Sequence, residues 1–204
     1  MATVTETVSS ENIGFLALQA GQRLFTAADV AAMPEQLPSG PVSFELHHGR
    51  LVPKSPPGAL HGNLQVRIGA ELLLQGETAG HGKAYTEVGI VLARKPDHVV
   101  GPDAAFVTKD SLPARISPEG FLETIPELVV EIRSKNDTAA EIAEKVAKYL
   151  RAGVRLVWVV EDAKESVMEH RPNVPAKTFV KADALTCNDI IPAFQLSLAD
   201  FFRA

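Results

Sequence analysis

Two nearly unbroken apolar runs, Leu128–Ile132 and Val154–Val160, flank one amphipathic stretch, and this arrangement constrains the fold more than any other feature. Only Glu131 and Arg155 interrupt the two runs. Runs of Val, Ile and Leu without polar alternation read as strands covered on both faces, in the middle of a sheet. The residues between them carry a helix signal. Thr138 and Glu141 match a T-x-x-E capping box, and Ile142, Val146, Tyr149 and Leu150 fall on one stripe at i, i+4, i+7 and i+8. Strand, helix and strand with short joins form a βαβ unit, whose two strands run parallel. The expected fold class is α/β (α+β), a mixed central sheet flanked by helices.

The rest of the chain supplies the flanking elements. At 204 residues it suits one domain. Residues 1–22 show no pattern and are expected to be a flexible N-terminal segment, leaving 23–204 as a single domain. Thr26 caps a short helix that Pro34 stops, and SFELHHGRLV reads as a β-hairpin turning at His48-Gly49. Leu60, Leu64, Ile68 and Leu72 at i, i+4 spacing predict a helix over 60–75, ended by Gly76. Strands are expected at Val88–Leu92 and Ala104–Val107, and a hairpin at Ser166–His170 with Lys177–Val180. The closing IIPAFQLSLADFF tucks its Phe and Leu side chains onto the body.

Several classes are excluded. With 20 Lys+Arg against 25 Asp+Glu the net charge is −5, so no global basic field announces nucleic acid. One cysteine, Cys187, permits neither an intrachain disulfide nor a Cys-rich zinc site. No apolar run reaches the ~18–20 residues that cross a bilayer, and no secretory signal opens the chain. A soluble, cytoplasmic protein without membrane contact is expected.

The chemistry concentrates on two carboxylates and one lysine. Glu131 lies in a strand covered on both faces, where an ionised carboxylate costs several kcal/mol unless a cation pairs with it. Strand alternation puts Val129, Glu131 and Arg133 on one face. An ion pair with arginine would satisfy Glu131; so would a metal at the strand's end. Asp103, which opens the strand DAAFV after Pro102, is the natural partner. Asp97 competes, but reads as a solvated turn residue. On the helix, Lys145 lies about 85° from the centre of the apolar stripe and can turn inward, while Lys148, about 145° away, is solvated. On spacing alone an exposed pair with Glu141 is the favoured account of Lys145. Trp158 and Tyr149 read as packing residues. Two carboxylates holding a hard divalent cation, Mg²⁺ or Mn²⁺, beside a lysine make a site that cleaves phosphodiesters. Residues 133–155 add a modest basic patch: Arg133, Lys135, Lys145, Lys148, Arg151 and Arg155 against Asp137, Glu141 and Glu144.

FELHHGRLV, SPPGALHGNL, GPDAAFV, PELVVEIRSKND, Lys145-x-x-x-Tyr149, AGVRLVWVVED and PAFQLSLADFF, in that order, make the chain resemble the Uma2 family of the PD-(D/E)XK restriction-endonuclease-like superfamily. The resemblance runs from Phe25 onward. It implies a restriction-endonuclease-like core preceded by an N-terminal helix and hairpin. It also implies a metal-dependent nuclease site in which Asp103 matches the PD position and Glu131 the second acidic residue. The superfamily lysine two residues after the acid is replaced by Arg133, and Lys145 from the following helix matches the substitute seen in similar families. Glu45 and His61 match recurrent family positions: Glu45 for a metal or water contact, His61 as a cap or phosphate donor. Arg133 cannot act as a base but could clamp a phosphate.

These readings lead to a divalent-metal-dependent endonuclease acting on DNA, as a homodimer. The rival is a catalytically inactive nuclease fold that binds nucleic acid or protein.

Overall fold

In the computed structural model the described residues are 23–203, apart from 35, 38–39, 55, 115–116, 118–119 and 136. The N-terminal segment 1–22 lies outside them. Along the chain come α1 (Ala27–Ala31), β1 (Gln36–Leu37), β2 (Gly40–Pro41), β3 (Ser43–His47), β4 (Arg50–Lys54) and α2 (Ala59–Glu71). A π-helical turn (Leu72–Glu77) prolongs α2, followed by β5 (Gly82–Thr86), β6 (Ile90–Ala93), β7 (His98–Val100) and β8 (Ala104–Thr108). Then come β9 (Leu128–Ile132), α3 (Ala139–Ala152), β10 (Leu156–Glu161), β11 (Ser166–His170) and β12 (Lys177–Val180). The short pair β13 (Ala184–Leu185) and β14 (Leu196–Ser197) precedes α4 (Leu198–Phe201).

The main sheet has the order β12-β11-β10-β9-β8-β5. β9 and β10 run parallel in register Leu156↔Leu128, and the other neighbours are antiparallel. All five residues of β9 and five of six in β10 are buried, as two-faced apolar strands require. The helix between them, α3, starts in the capping box of Thr138 and Glu141. Such a cap contributes about 1 kcal/mol. A second sheet, β4-β3-β7-β6, is antiparallel throughout.

Strand alternation sorts the core into layers. Leu128, Val130, Ile132 and Trp158 face α2 and the C-terminal segment, including Phe194, Leu198 and Phe201. Val129, Val157 and Val159 face α3 (Val146, Tyr149) and the inner face of the second sheet (Ile90, Val100). The outer face of that sheet, Leu46, Val91 and Val99, packs on Phe25 and Ala27 of the α1 region.

Four details differ from the expectation. Several strands were not foreseen: β5 (GKAYT) lies at a sheet edge with little apolar alternation, and β1, β2, β7, β13 and β14 are only two or three residues long. Gly76 does not end α2. The helix widens there, and a β-carbon on Gly76 would stand 2.4 Å from Phe106 Cε2, so glycine permits close packing. Asp97 is buried rather than solvated: its carboxylate accepts from Ala27 N (2.8 Å), Lys95 N (3.2 Å) and Arg94 (3.0 Å), tying the turn to α1. Lys148 is largely covered as well, its side chain 16% exposed and its ammonium on Glu144 at 2.8 Å. The second sheet packs over α3 there, which a helical wheel cannot show. The β3–β4 turn is as expected, with φ 51° at His48 and 76° at Gly49, both positive as the tightest hairpins demand.

Candidate active site

The register of β8 against β9, Ala105↔Val129 and Ala104↔Val130, puts Asp103 opposite Glu131 when continued by one residue. Directly opposed residues stand about 4.5–5.5 Å apart at Cβ. Both side chains lie on the α3 side of the sheet, at the C-terminal end of β9. Both are buried, Asp103 at 7% and Glu131 at 5% exposure.

Each carboxylate is held at both oxygens. Asp103 Oδ2 accepts the Ile132 N–H at 2.6 Å, and Oδ1 pairs with His61 Nε2 at 2.8 Å. Glu131 Oε1 accepts from the Tyr149 hydroxyl at 2.5 Å, and Oε2 from the Lys145 ammonium at 3.1 Å. Lys145 and Tyr149 are four apart on α3, so one helix face delivers both donors. His61 reaches Asp103 because the first turn of α2 overhangs the end of the sheet. The same overhang leaves Leu60 exposed while Leu64, Ile68 and Leu72 are buried.

Glu45 closes the site from the second sheet. Its carboxylate accepts from Gly101 N at 3.2 Å and pairs with His47 at 2.8 Å. Burial would raise its pKa, but His47, Lys145 and Gly101 outweigh that and hold it down to about 2. Glu45 is therefore a permanent anion. Burial works against the Lys145 ammonium too, yet Glu131 and Glu45 together push its pKa above the ordinary lysine value. Lys145 therefore favours its charged form in this arrangement. Glu131 moves the other way: burial raises its pKa, the Asp103 charge adds to the rise, and Lys145 and Tyr149 only partly compensate. His61 is raised, chiefly by its bond to Asp103.

Five of the six candidate residues thus converge: Asp103, Glu131, Lys145, Glu45 and His61. Arg133 does not join them. Its guanidinium bonds Glu161 at 2.6 Å and the Asp137 carbonyl at 3.0 and 3.2 Å, at the neighbouring end of β10. The arginine that could have neutralised Glu131 pairs elsewhere. Tyr149 was read as packing and is buried at 1%, but it also fixes Glu131. Its position four residues after Lys145 was the available signal.

Among the described residues no group of three His, Cys, Asp or Glu side chains is placed to hold a metal ion. A pair of carboxylates remains, which matches Mg²⁺, an ion that keeps several waters and takes one or two carboxylates plus substrate oxygens. Burial is the main reason that the Glu131 pKa is raised, and the neighbouring Asp103 charge adds to it.

A family model described as "Putative restriction endonuclease", Uma2, matches residues 31–199. The chain belongs to the Uma2 family. No curated protein matches it. Among solved structures it is similar to one from Anabaena variabilis ATCC 29413, described as "a putative nuclease belonging to DUF820". The two share 17% identity, with a TM-score of 0.73 over 87% of this chain and 97% of that one. At that identity the likeness establishes the fold: this Uma2 protein has the mixed α/β architecture of that chain. Among its described residues no helix is long and apolar enough to cross a membrane.

Proposed function

We propose that this Uma2 protein is a divalent-metal-dependent endonuclease that hydrolyses DNA phosphodiester bonds, with Mg²⁺ or Mn²⁺ held by Asp103 and Glu131. The observation that supports the reading is the opposed, buried carboxylate pair Asp103 and Glu131, with Glu45 nearby and the Lys145 ammonium bonded to Glu131. A bound divalent ion would polarise the phosphoryl group and ease deprotonation of water.

The chain's own residues have separable tasks. Tyr149 and Lys145 hold one Glu131 oxygen each, which fixes the plane of that carboxylate. The Ile132 N–H and His61 do the same for Asp103. Lys145, in its charged form, supplies positive charge where negative charge develops on the phosphoryl oxygens. The metal preference follows from oxygen-only ligation. The family name and the nuclease description of the Anabaena protein support the same reaction class. A homodimer suits the two-fold symmetry of duplex DNA, and light scattering that reads a monomer at micromolar concentration would remove that part.

Incubation of plasmid DNA with purified protein and Mg²⁺ or Mn²⁺ tests the reading. Nicked and linear products are expected, abolished by EDTA and in Asp103→Asn. Intact DNA under every divalent ion, with DNA still bound, would replace the enzyme by a binding module.

A further inference from the structure

Outside the carboxylate site, positive charge gathers where the β3–β4 turn meets the C-terminal half of α3. Two walls form this rim. On the sheet wall, Glu45 and His47 alternate onto one face of β3, and the register His47↔Arg50 puts Arg50 on that face too. The His98 ring stacks on His47 with centroids 5.0 Å apart and meets His48 edge-on at 4.7 Å. On the helix wall, Lys145, Lys148 and Arg151 follow one another at three-residue steps. The Glu144 carboxylate lies between the walls. Its pKa is lowered first by its bond to Lys148, and His47 and Arg151 contribute.

The rim carries a net positive field in a protein of net charge −5. Lys148 neutralises Glu144, and among the described residues neither Arg50 nor Arg151 has a carboxylate partner. Both arginines are exposed. Two unpaired arginines on a rim that begins at Lys145 run against the acidic trend of the chain. Neither is held in an ion pair; Arg151, in the last turn of α3, complements the helix dipole there and keeps its guanidinium open to a ligand.

We propose that Arg50 and Arg151, beside His48, bind the phosphates of the nucleic-acid strand next to the one cleaved at Glu131. This rests on the nuclease reading of the carboxylate site. The ligand is the phosphodiester backbone itself. Planar guanidinium groups pair with phosphate oxygens through two parallel N–H donors, and such contacts position a strand without reading its bases.

Fluorescence anisotropy with a short mixed-sequence DNA duplex, in Ca²⁺ rather than Mg²⁺ and over a range of salt, tests the rim. Arg50→Ala/Arg151→Ala should bind about tenfold or more weakly and lower the slope of log K against log salt by about two. Arg50→Lys/Arg151→Lys should retain most of the binding. Lys109→Ala removes an unpaired cation at the far end of β8 and should change nothing. Melting temperatures of all variants should stay close to that of the wild type, because none of these side chains is paired. Wild-type binding with an unchanged salt slope in the double alanine variant would overturn the rim and leave the nuclease reading standing. A wild type that binds no duplex would overturn both.

Discussion

The two ends of the parallel β9–β10 pair each carry acidic and basic side chains, and they use them differently. At the N-terminal end, Arg171 bonds Glu169 at 3.1 Å and both oxygens of Asp189 at 3.0 and 3.1 Å, and Arg155 adds a bond to Asp189 at 3.1 Å. The remaining Glu169 oxygen accepts from the Trp158 indole at 3.2 Å. Two arginines meet two carboxylates. Although burial opposes it, the Arg171 guanidinium keeps the Asp189 pKa below the ordinary value. At the C-terminal end, among the described residues, no arginine pairs with Asp103, Glu131 or Glu45. Lys145 and Tyr149 bond Glu131, His61 bonds Asp103 and His47 bonds Glu45, and the Glu131 pKa is raised by burial and by Asp103. Full satisfaction marks a network that holds the fold, whereas a residual charge marks a site awaiting a ligand.

The largest expected difference is catalytic. Glu131→Gln or Asp103→Asn should reduce DNA cleavage by about 10³-fold or more, because each removes a ligand for the ion. Glu169→Gln and Asp189→Asn should cleave at wild-type rates while melting earlier. Cleavage assays beside thermal melts read both, and the reverse pattern would exchange the roles of the two ends. Next, Lys145→Ala should lower turnover by about 10²-fold with metal affinity retained. Arg133→Ala should lower the melting temperature through loss of the Glu161 pair, with turnover unchanged. Full activity in Lys145→Ala combined with loss in Arg133→Ala would move the functional cation to Arg133.

Smaller effects concern the metal and pH. Saturating Mg²⁺, at about 100 times its Kd, should stabilise the wild type by about 2.7 kcal/mol, a shift of several degrees. Asp103→Asn should lose that shift and Asp189→Asn should keep it. A metal-induced shift that survives Asp103→Asn would place the ion elsewhere. The pH dependence of stability without metal should have opposite signs at the two ends. Glu131 has a folded pKa above its unfolded one, so the native state binds its proton more readily, and its contribution is lost as pH rises through that raised value. Asp189 has a folded pKa below its unfolded one, so its contribution is present above the ordinary aspartate value and is lost as pH falls through it. Urea melts at about pH 5 and about pH 8 would show Glu131→Gln gaining on the wild type as pH rises. Melts at about pH 3 and about pH 5 would show Asp189→Asn falling further behind the wild type as pH rises. Equal signs would mean that Glu131 is as fully compensated as Asp189.

Much of this was legible in the chain because it depends on local period. The capping box of Thr138 and Glu141, the apolar stripe of α3 and the two-faced strands β9 and β10 follow from neighbours in sequence, and so does their parallel pairing. Alternation also put Glu131 on the face of Val129, whereas the helical wheel left Lys145 at the edge of the stripe, and the ion pair with Glu131 decided that it turns inward. Asp97 and Lys148 were misread as solvated for one shared reason: the α1 region and the second sheet, which cover them, come from distant parts of the chain. Arg133 illustrates the limit of alternation. Its face was right to first order, but Glu161, 28 residues on, decided where its guanidinium went.

By itself, then, the sequence determined the strand–helix–strand core, the burial of Glu131 and the candidacy of Asp103 and Lys145, because backbone periods of two and 3.6 residues act over a few neighbours. Only the tertiary structure decided which charges cancel. The β8–β9 register set Asp103 against Glu131, α3 brought the Tyr149 hydroxyl to the same carboxylate, and β3 added Glu45 to the charge around Lys145. Charge balance in a buried site depends on distances of a few ångströms between residues far apart in the chain, and the packing of the elements sets those distances.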